Sequence, residues 1–281
     1  MLSLGLTRAA LAAAVLALLP ALGGAGPVLF GLTFHPPSDP SPEQLVRIDP
    51  STGAATAVGP LETRMLPFGL GTRDGRLYTY DSAAGRVREL DPSSGATLAT
   101  IDIGTSGLIG EGGMDFRSDG TGFLAHATPV SAQLWSFDVE AGTATSVSGP
   151  DGLSPRFDGL AFEPGSDALF GISQMTYLLY RIDPSTGMTQ LVGATGIASG
   201  RAQLAGLAFA GDGTLYLAAV GNLYTLDTST GLATLVGPTG FDDVAGLTFV
   251  DMAEPIAEPG TMVLLGAGLV GLALRARSKR R

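Results

Sequence analysis

The sequence predicts an all-β protein: a five-bladed β-propeller of four-stranded blades, closed by a C-terminal strand and flanked by an N-terminal signal helix and a C-terminal transmembrane helix. Three observations predict it. One phrase returns five times at blade-length spacing, a second phrase alternates with it, and both ends of the 281-residue chain are apolar segments of a different character.

The first phrase reads LVRIDPSTG from Leu45, VRELDPSSG from Val87, LWSFDVEAG from Leu134, LYRIDPSTG from Leu179 and LYTLDTSTG from Leu223. Its aspartates, Asp49, Asp91, Asp138, Asp183 and Asp227, are 42, 47, 45 and 44 residues apart, the period of a propeller blade. The residue before each aspartate is apolar (Ile48, Leu90, Phe137, Ile182, Leu226) and the one before that is polar, which is strand alternation. Four residues after each aspartate comes glycine. The aspartate accepts from turn amides and the glycine takes the left-handed position that reverses the chain, so each phrase is a hairpin.

The second phrase reads FGLGTRDGRLYTY, GGMDFRSDGTGFLAH, DGLAFEPGSDALFGI and AGLAFAGDGTLYLAA. Asp74-Gly75, Asp119-Gly120 and Asp212-Gly213 separate two short apolar runs, a strong hairpin signal. Two hairpins per unit make a four-stranded blade. The array starts one strand late: VLFGLT at 28–33 matches the second-strand segment ALFGIS at 168–173, while AGLTFVD at 245–251 matches a first strand and then stops. The last segment is therefore expected to complete the first blade and remove its open edge. Units fall at about 26–60, 66–104, 110–150, 156–195 and 203–240, with the closing strand at 245–251. The signature residues of WD40, NHL or kelch repeats are absent from these phrases.

The ends carry addresses. Residues 1–25 place Arg8 ahead of an Ala/Leu/Val run, then a proline and small residues near Ala25, the layout of a secretory signal; a buried N-terminal helix is the plainer alternative. From Thr261 to Leu274 the chain carries no charge, and 14 residues of helix span about 21 Å, short of a ~30 Å hydrocarbon core. Arg275, Arg277, Lys279, Arg280 and Arg281 follow and stay cytoplasmic by the positive-inside bias. Those five and Arg8 leave 10 of the 16 basic residues against all 26 acids between 26 and 274, so that body carries −16 and repels nucleic acid and anionic lipid. There is no cysteine, which excludes disulfides, thiol catalysis, iron–sulfur clusters and thiolate zinc.

A Glu-Pro-Gly-Thr element (Glu258, Pro259, Gly260, Thr261), a short apolar helix and an arginine-rich end together resemble the PEP-CTERM sorting tail; Ala257 stands where the usual Pro-Glu-Pro core begins. The resemblance covers about residues 254–281. It implies a Gram-negative host that makes extracellular polysaccharide, recognition and cutting by an integral-membrane exosortase, and delivery to the cell surface or matrix. An ordinary tail anchor is the competing account.

No catalytic constellation stands out. His35 and His126 lie in different repeats without Glu or His at metal-ligand spacing, and the serines sit in turns without a G-x-S-x-G elbow. Glu111, Asp158, Asp242 and Asp243 precede innermost strands, so several blades would bring hard oxygen ligands to one end of the channel, where Ca²⁺ is the ion they suit; isolated acids at loop ends also simply cap turns. Trp135 takes the strand slot of Tyr180 and Tyr224 and is expected to pack between blades. Two functions compete. One is a non-enzymatic binding or scaffold module without a cofactor, partnered by an exosortase-like protease, the membrane through its tail, and a polysaccharide or surface protein. The other is a propeller enzyme of lactonase, lyase or dehydrogenase type with a channel metal.

Overall fold

In the computed structural model the described residues are 26–35, 41–62, 65–105, 112–127, 132–148, 152–174, 176–198 and 204–252. They belong to one compact unit, Pro27–Met252, apart from Gly26. The expected signal helix, the transmembrane helix at 261–274, the sorting residues and the basic cluster lie outside them. Among the described residues no helix is long and apolar enough to cross a membrane.

Among the described residues twenty strands form five four-stranded antiparallel sheets. Blade A holds β1 (Val28–Thr33), β2 (Gln44–Ile48) and β3 (Ala55–Pro60); blade B β4 (Pro67–Arg73), β5 (Arg76–Asp81), β6 (Arg86–Leu90) and β7 (Thr97–Ile101). Blade C holds β8 (Met114–Phe116), β9 (Gly122–Ala127), β10 (Ala132–Asp138) and β11 (Thr143–Ser146); blade D β12 (Phe157–Phe162), β13 (Leu169–Ser173), β14 (Leu178–Ile182) and β15 (Thr189–Ala194). Blade E is β16 (Gly206–Phe209), β17 (Leu215–Ala219), β18 (Asn222–Leu226) and β19 (Ala233–Pro238). Then β20 (Val244–Val250) returns to pair with β1, Val28 opposite Val250 and Leu32 opposite Gly246, and supplies blade A with its inner strand. This is the closure that the two unmatched phrases called for.

The repeated aspartate forms the same turn in all five blades. Its Oδ1 accepts the N–H two residues on, at 2.8 Å each from Ser51, Ser93, Glu140, Ser185 and Ser229, and its carbonyl accepts the N–H of the closing glycine. Those glycines sit at φ of 65° to 82°, a region other residues enter at a cost. The hydroxyls of Ser51, Ser93, Ser185 and Ser229, then their N–H groups, hold four of these carboxylates below the ordinary range, and the N–H groups of Ala141 and Glu140 do so for Asp138. Of the three Asp-Gly pairs, only Asp74-Gly75 makes a two-residue hairpin turn with both residues left-handed (φ 52° and 72°); the other two belong to longer loops between β8 and β9 and between β16 and β17. The longer loops leave room for side chains at their tips, as the Arg117–Asp119 pair at 2.5 Å illustrates.

The blades meet at the axis through glycine. Gly69, Gly113, Gly159, Gly206 and Gly246 hold the same place in the second phrase, four within inner strands and Gly113 directly before β8. A Cβ on any of them would meet the next blade at 3.0 Å or less: Gly69 against Met114, Gly113 against Leu160, Gly159 against Leu207, Gly206 against Gly246, and Gly246 against Gly69. The five contacts run round the ring and return to their start, so main chain packs on main chain at the centre. Outside this girdle the blades are sealed by apolar clusters that span neighbouring sheets, such as Phe170, Leu179, Leu207 and Leu217 between D and E.

Candidate functional site

The inner strands all run from one end of the axis to the other. At their start lie the β1–β2 loop and the connections between blades; at their end lie the Asp-Gly turn of blade B and the chain's own entry and exit, Val28 facing Val250. The first end is here termed the loop face, the second the turn face.

Of the four acids expected at a channel mouth, Glu111 lies outside the described residues. The other three are on the loop face. Asp158 is the extra residue of a bulge in β12, where the register with β13 slips between Phe157 and Gly159, and it is buried. Asp243 directly precedes β20; its carbonyl accepts from Phe34 N–H at 3.3 Å and its carboxylate accepts from Leu204 N–H. Burial pushes its pKa up to about 7 against that hydrogen bond, helped by the negative charges of Asp242 and Glu43. Among the described residues its Oδ1 is buried and has no partner. Asp242 is exposed.

Asp243 and Asp158 both act on Tyr177, a buried residue held at φ 49°, whose hydroxyl is raised to about 12 by burial first and then by the two carboxylates. Beside them stands a pair that no spacing rule would find. Glu43 takes the backbone N–H of His35 on Oε1 and the ring Nδ1 on Oε2, both at 2.9 Å, and Oε2 is also reached by Thr33 Oγ1 at 3.3 Å. His35 is thus tied down, eight residues from its partner across a loop. Phe34, its neighbour, packs on Phe68 with ring centroids 5.8 Å apart, in a cluster with Leu204 and Ala245. The loop-face mouth therefore has an apolar floor from blades A, B and E and an acidic rim from A and D. Among the described residues no three His, Asp or Glu side chains converge where a metal ion could be held. His126 is buried on β9, and Trp135 is half-buried in the cluster joining blades B and C through Tyr78, Phe116 and Phe137.

Past the last strand, the model of the PEP-CTERM protein-sorting motif matches residues 255–280. The chain carries a PEP-CTERM tail. The PEP-CTERM tail marks an exported protein, membrane-anchored in Gram-negative bacteria, and is the type of motif that an exosortase recognises. No curated protein sequence matches the chain. Among solved structures the chain resembles one from the nidogen/laminin complex, at 15% identity over 80% of this chain and 98% of that one, with a TM-score of 0.51. It also resembles XC5397 of Xanthomonas campestris, a gluconolactonase (12% identity, 78% of each chain, TM-score 0.48). A third likeness is to a protein of unknown function from Bacteroides thetaiotaomicron (11% identity, 74% of this chain, TM-score 0.47), of which this chain spans 64%. At 15% identity the likeness to the nidogen/laminin structure concerns fold alone.

Proposed function

We propose that the chain is an exported β-propeller binding or scaffold module, directed to the cell surface or matrix by its PEP-CTERM tail, and not an enzyme. The observation that carries this reading is where the fold ends. The ring is latched by β20 at Val250, and the sorting motif begins at residue 255, so a protease acting on the tail takes nothing from the sheet. In this reading Glu258, Pro259, Gly260 and Thr261 are the element an exosortase-like protease reads, and Arg275, Arg277, Lys279, Arg280 and Arg281 hold the tail's end on the cytoplasmic side. The loop face, opposite the chain's entry and exit, is the surface left for a polysaccharide or surface-protein partner.

The test is the intact mass of the extracellular form, made with and without an exosortase. Loss of the N-terminal segment and of a C-terminal piece beginning near residues 255–261 is the expected result. Full-length protein retained in the inner membrane in both strains overturns the sorting half of the proposal.

The convergence of Asp158 and Asp243 on Tyr177 favours a second reading, a propeller enzyme with a loop-face site. Activity on lactones or sugars that disappears when Asp158→Ala and Asp243→Ala are combined supports it; a flat substrate screen leaves the scaffold reading in place.

A further inference from the structure

On the turn-face side of the girdle a separate cavity of about 200 Å³ lies on the axis, with residues from all five inner strands in its lining. It contains one titratable group, Asp115 on β8, whose Oδ1 accepts the N–H of Phe116 at 2.8 Å and whose Oδ2 accepts the N–H of Phe162, in the next blade, at 2.7 Å. The other four blades have Gly71, Ala161, Ala208 and Thr248 at this place, so the propeller does not need a carboxyl there. Among the described residues no cation forms an ion pair with Asp115. Arg117, two residues along the chain, is engaged with Asp119 at 2.5 Å, and Arg73, which follows the lining residue Thr72, with Glu140 at 2.8 Å. Two hydroxyls complete the polar lining: Thr72 and Thr248 meet across the A–B seam with their oxygens 3.1 Å apart.

We infer that this axial cavity binds a primary ammonium group on a short alkyl chain. The acceptors are those an ammonium needs. Each Asp115 oxygen spends one lone pair on an N–H and keeps another, and a threonine hydroxyl supplies a third acceptor for three N–H donors. The chain fits against Ala208 and Leu247. A bare metal ion fits poorly: the space holds several waters of about 30 Å³ each, and one carboxylate is the only charged ligand. Burial raises Asp115 to about 7 against its two hydrogen bonds, so the ammonium binds in competition with a proton. The remaining lining residues carry no titratable side chain.

The experiment titrates the full chain with n-butylammonium, following heat and the amide resonances of Asp115 and Phe162. Saturable binding is expected, weakening about tenfold from pH 8 to pH 6 as Asp115 takes its proton. Asp115→Asn keeps an acceptor for the seam and lowers affinity by about tenfold or more; Thr248→Val, remote from that seam, lowers it by a smaller factor. Nα-acetyl-lysine N-methylamide separates sources: tighter binding than butylammonium points to a lysine of a partner protein, weaker binding to a free amine. Tetramethylammonium lacks N–H donors and is expected not to bind. The inference is overturned by no saturation with either amine, by equal binding of tetramethylammonium, by Ca²⁺ displacing the amine at equal concentration, or by affinity unchanged in Asp115→Asn.

Discussion

Gly159→Ala tests whether the glycine girdle sets the ring's geometry. The added methyl would lie 2.8 Å from Leu207 Cβ and 2.9 Å from Leu207 N, where ordinary contact begins at 3.4 Å, so blades D and E must part by about 0.6 Å at the axis. Gly159 has no left-handed φ, so the penalty is crowding and not backbone strain. Backbone cannot swing aside as a side chain tip does, and the shift is passed to a closed ring. Overpacking of this kind costs about 1–3 kcal/mol, occasionally more. For a chain of this size each kcal/mol moves the melting temperature by about 2–4 °C. Gly211→Ala is the matched control: nothing lies within 4 Å of its Cβ and its φ is not left-handed. Thermal melts by circular dichroism, with urea midpoints beside them, should show Gly159→Ala several degrees below wild type and Gly211→Ala within a degree or so. Equal melting of the two variants would mean that the inner strands are not packed as described.

The remaining predictions concern charge and closure. Asp115 and Asp243 titrate near 7 when folded against an ordinary 3.8, so the folded chain binds more protons than the unfolded one between those values and stability falls as pH rises from about 4 to 7. Asp243→Asn should flatten that slope in denaturant midpoints; a wild-type midpoint that climbs steadily from pH 5 to 8 contradicts it. The five turn aspartates are shifted the other way and make stability fall on acidification below about 4. Arg88→Met strips the buried Asp81 of two hydrogen bonds, at 2.7 and 3.1 Å, and should destabilise by about 3–5 kcal/mol in urea unfolding. Removing residues 244–252 exposes the edge of β1 and opens the ring; loss of a cooperative transition, with aggregation, is the expected readout by calorimetry and light scattering.

The repeat made the fold legible because each blade uses the same local devices. Asp49 and its four counterparts announce a turn by residue type and spacing alone, and VLFGLT with AGLTFVD announce the shared blade by being unmatched. The girdle was visible only as a glycine in a phrase; its purpose depends on a neighbour about 44 residues away, which alternation and turn chemistry do not encode. Asp158 and Asp243 were singled out by position, but the burial of Asp158 goes with a bulge in β12, and the N–H groups that meet Asp243 come from Phe34 and Leu204, far along the chain. His35 escaped because Glu43 reaches it across a loop. Asp115 escaped for the opposite reason: it sits mid-strand in a phrase whose other copies have small residues or threonine, where a lone acid reads as solvent-facing.

Because the sequence repeat is out of phase with the blade by one strand, the chain can gain or lose a whole copy without stranding any β-ribbon. An inserted unit of about 44 residues would still hand its last segment to the first sheet, and only the number of sectors would change. Diversification by copy number is thus built into the join, whereas a cut in register with the blades would leave two separable ends for the cell to seal by other means.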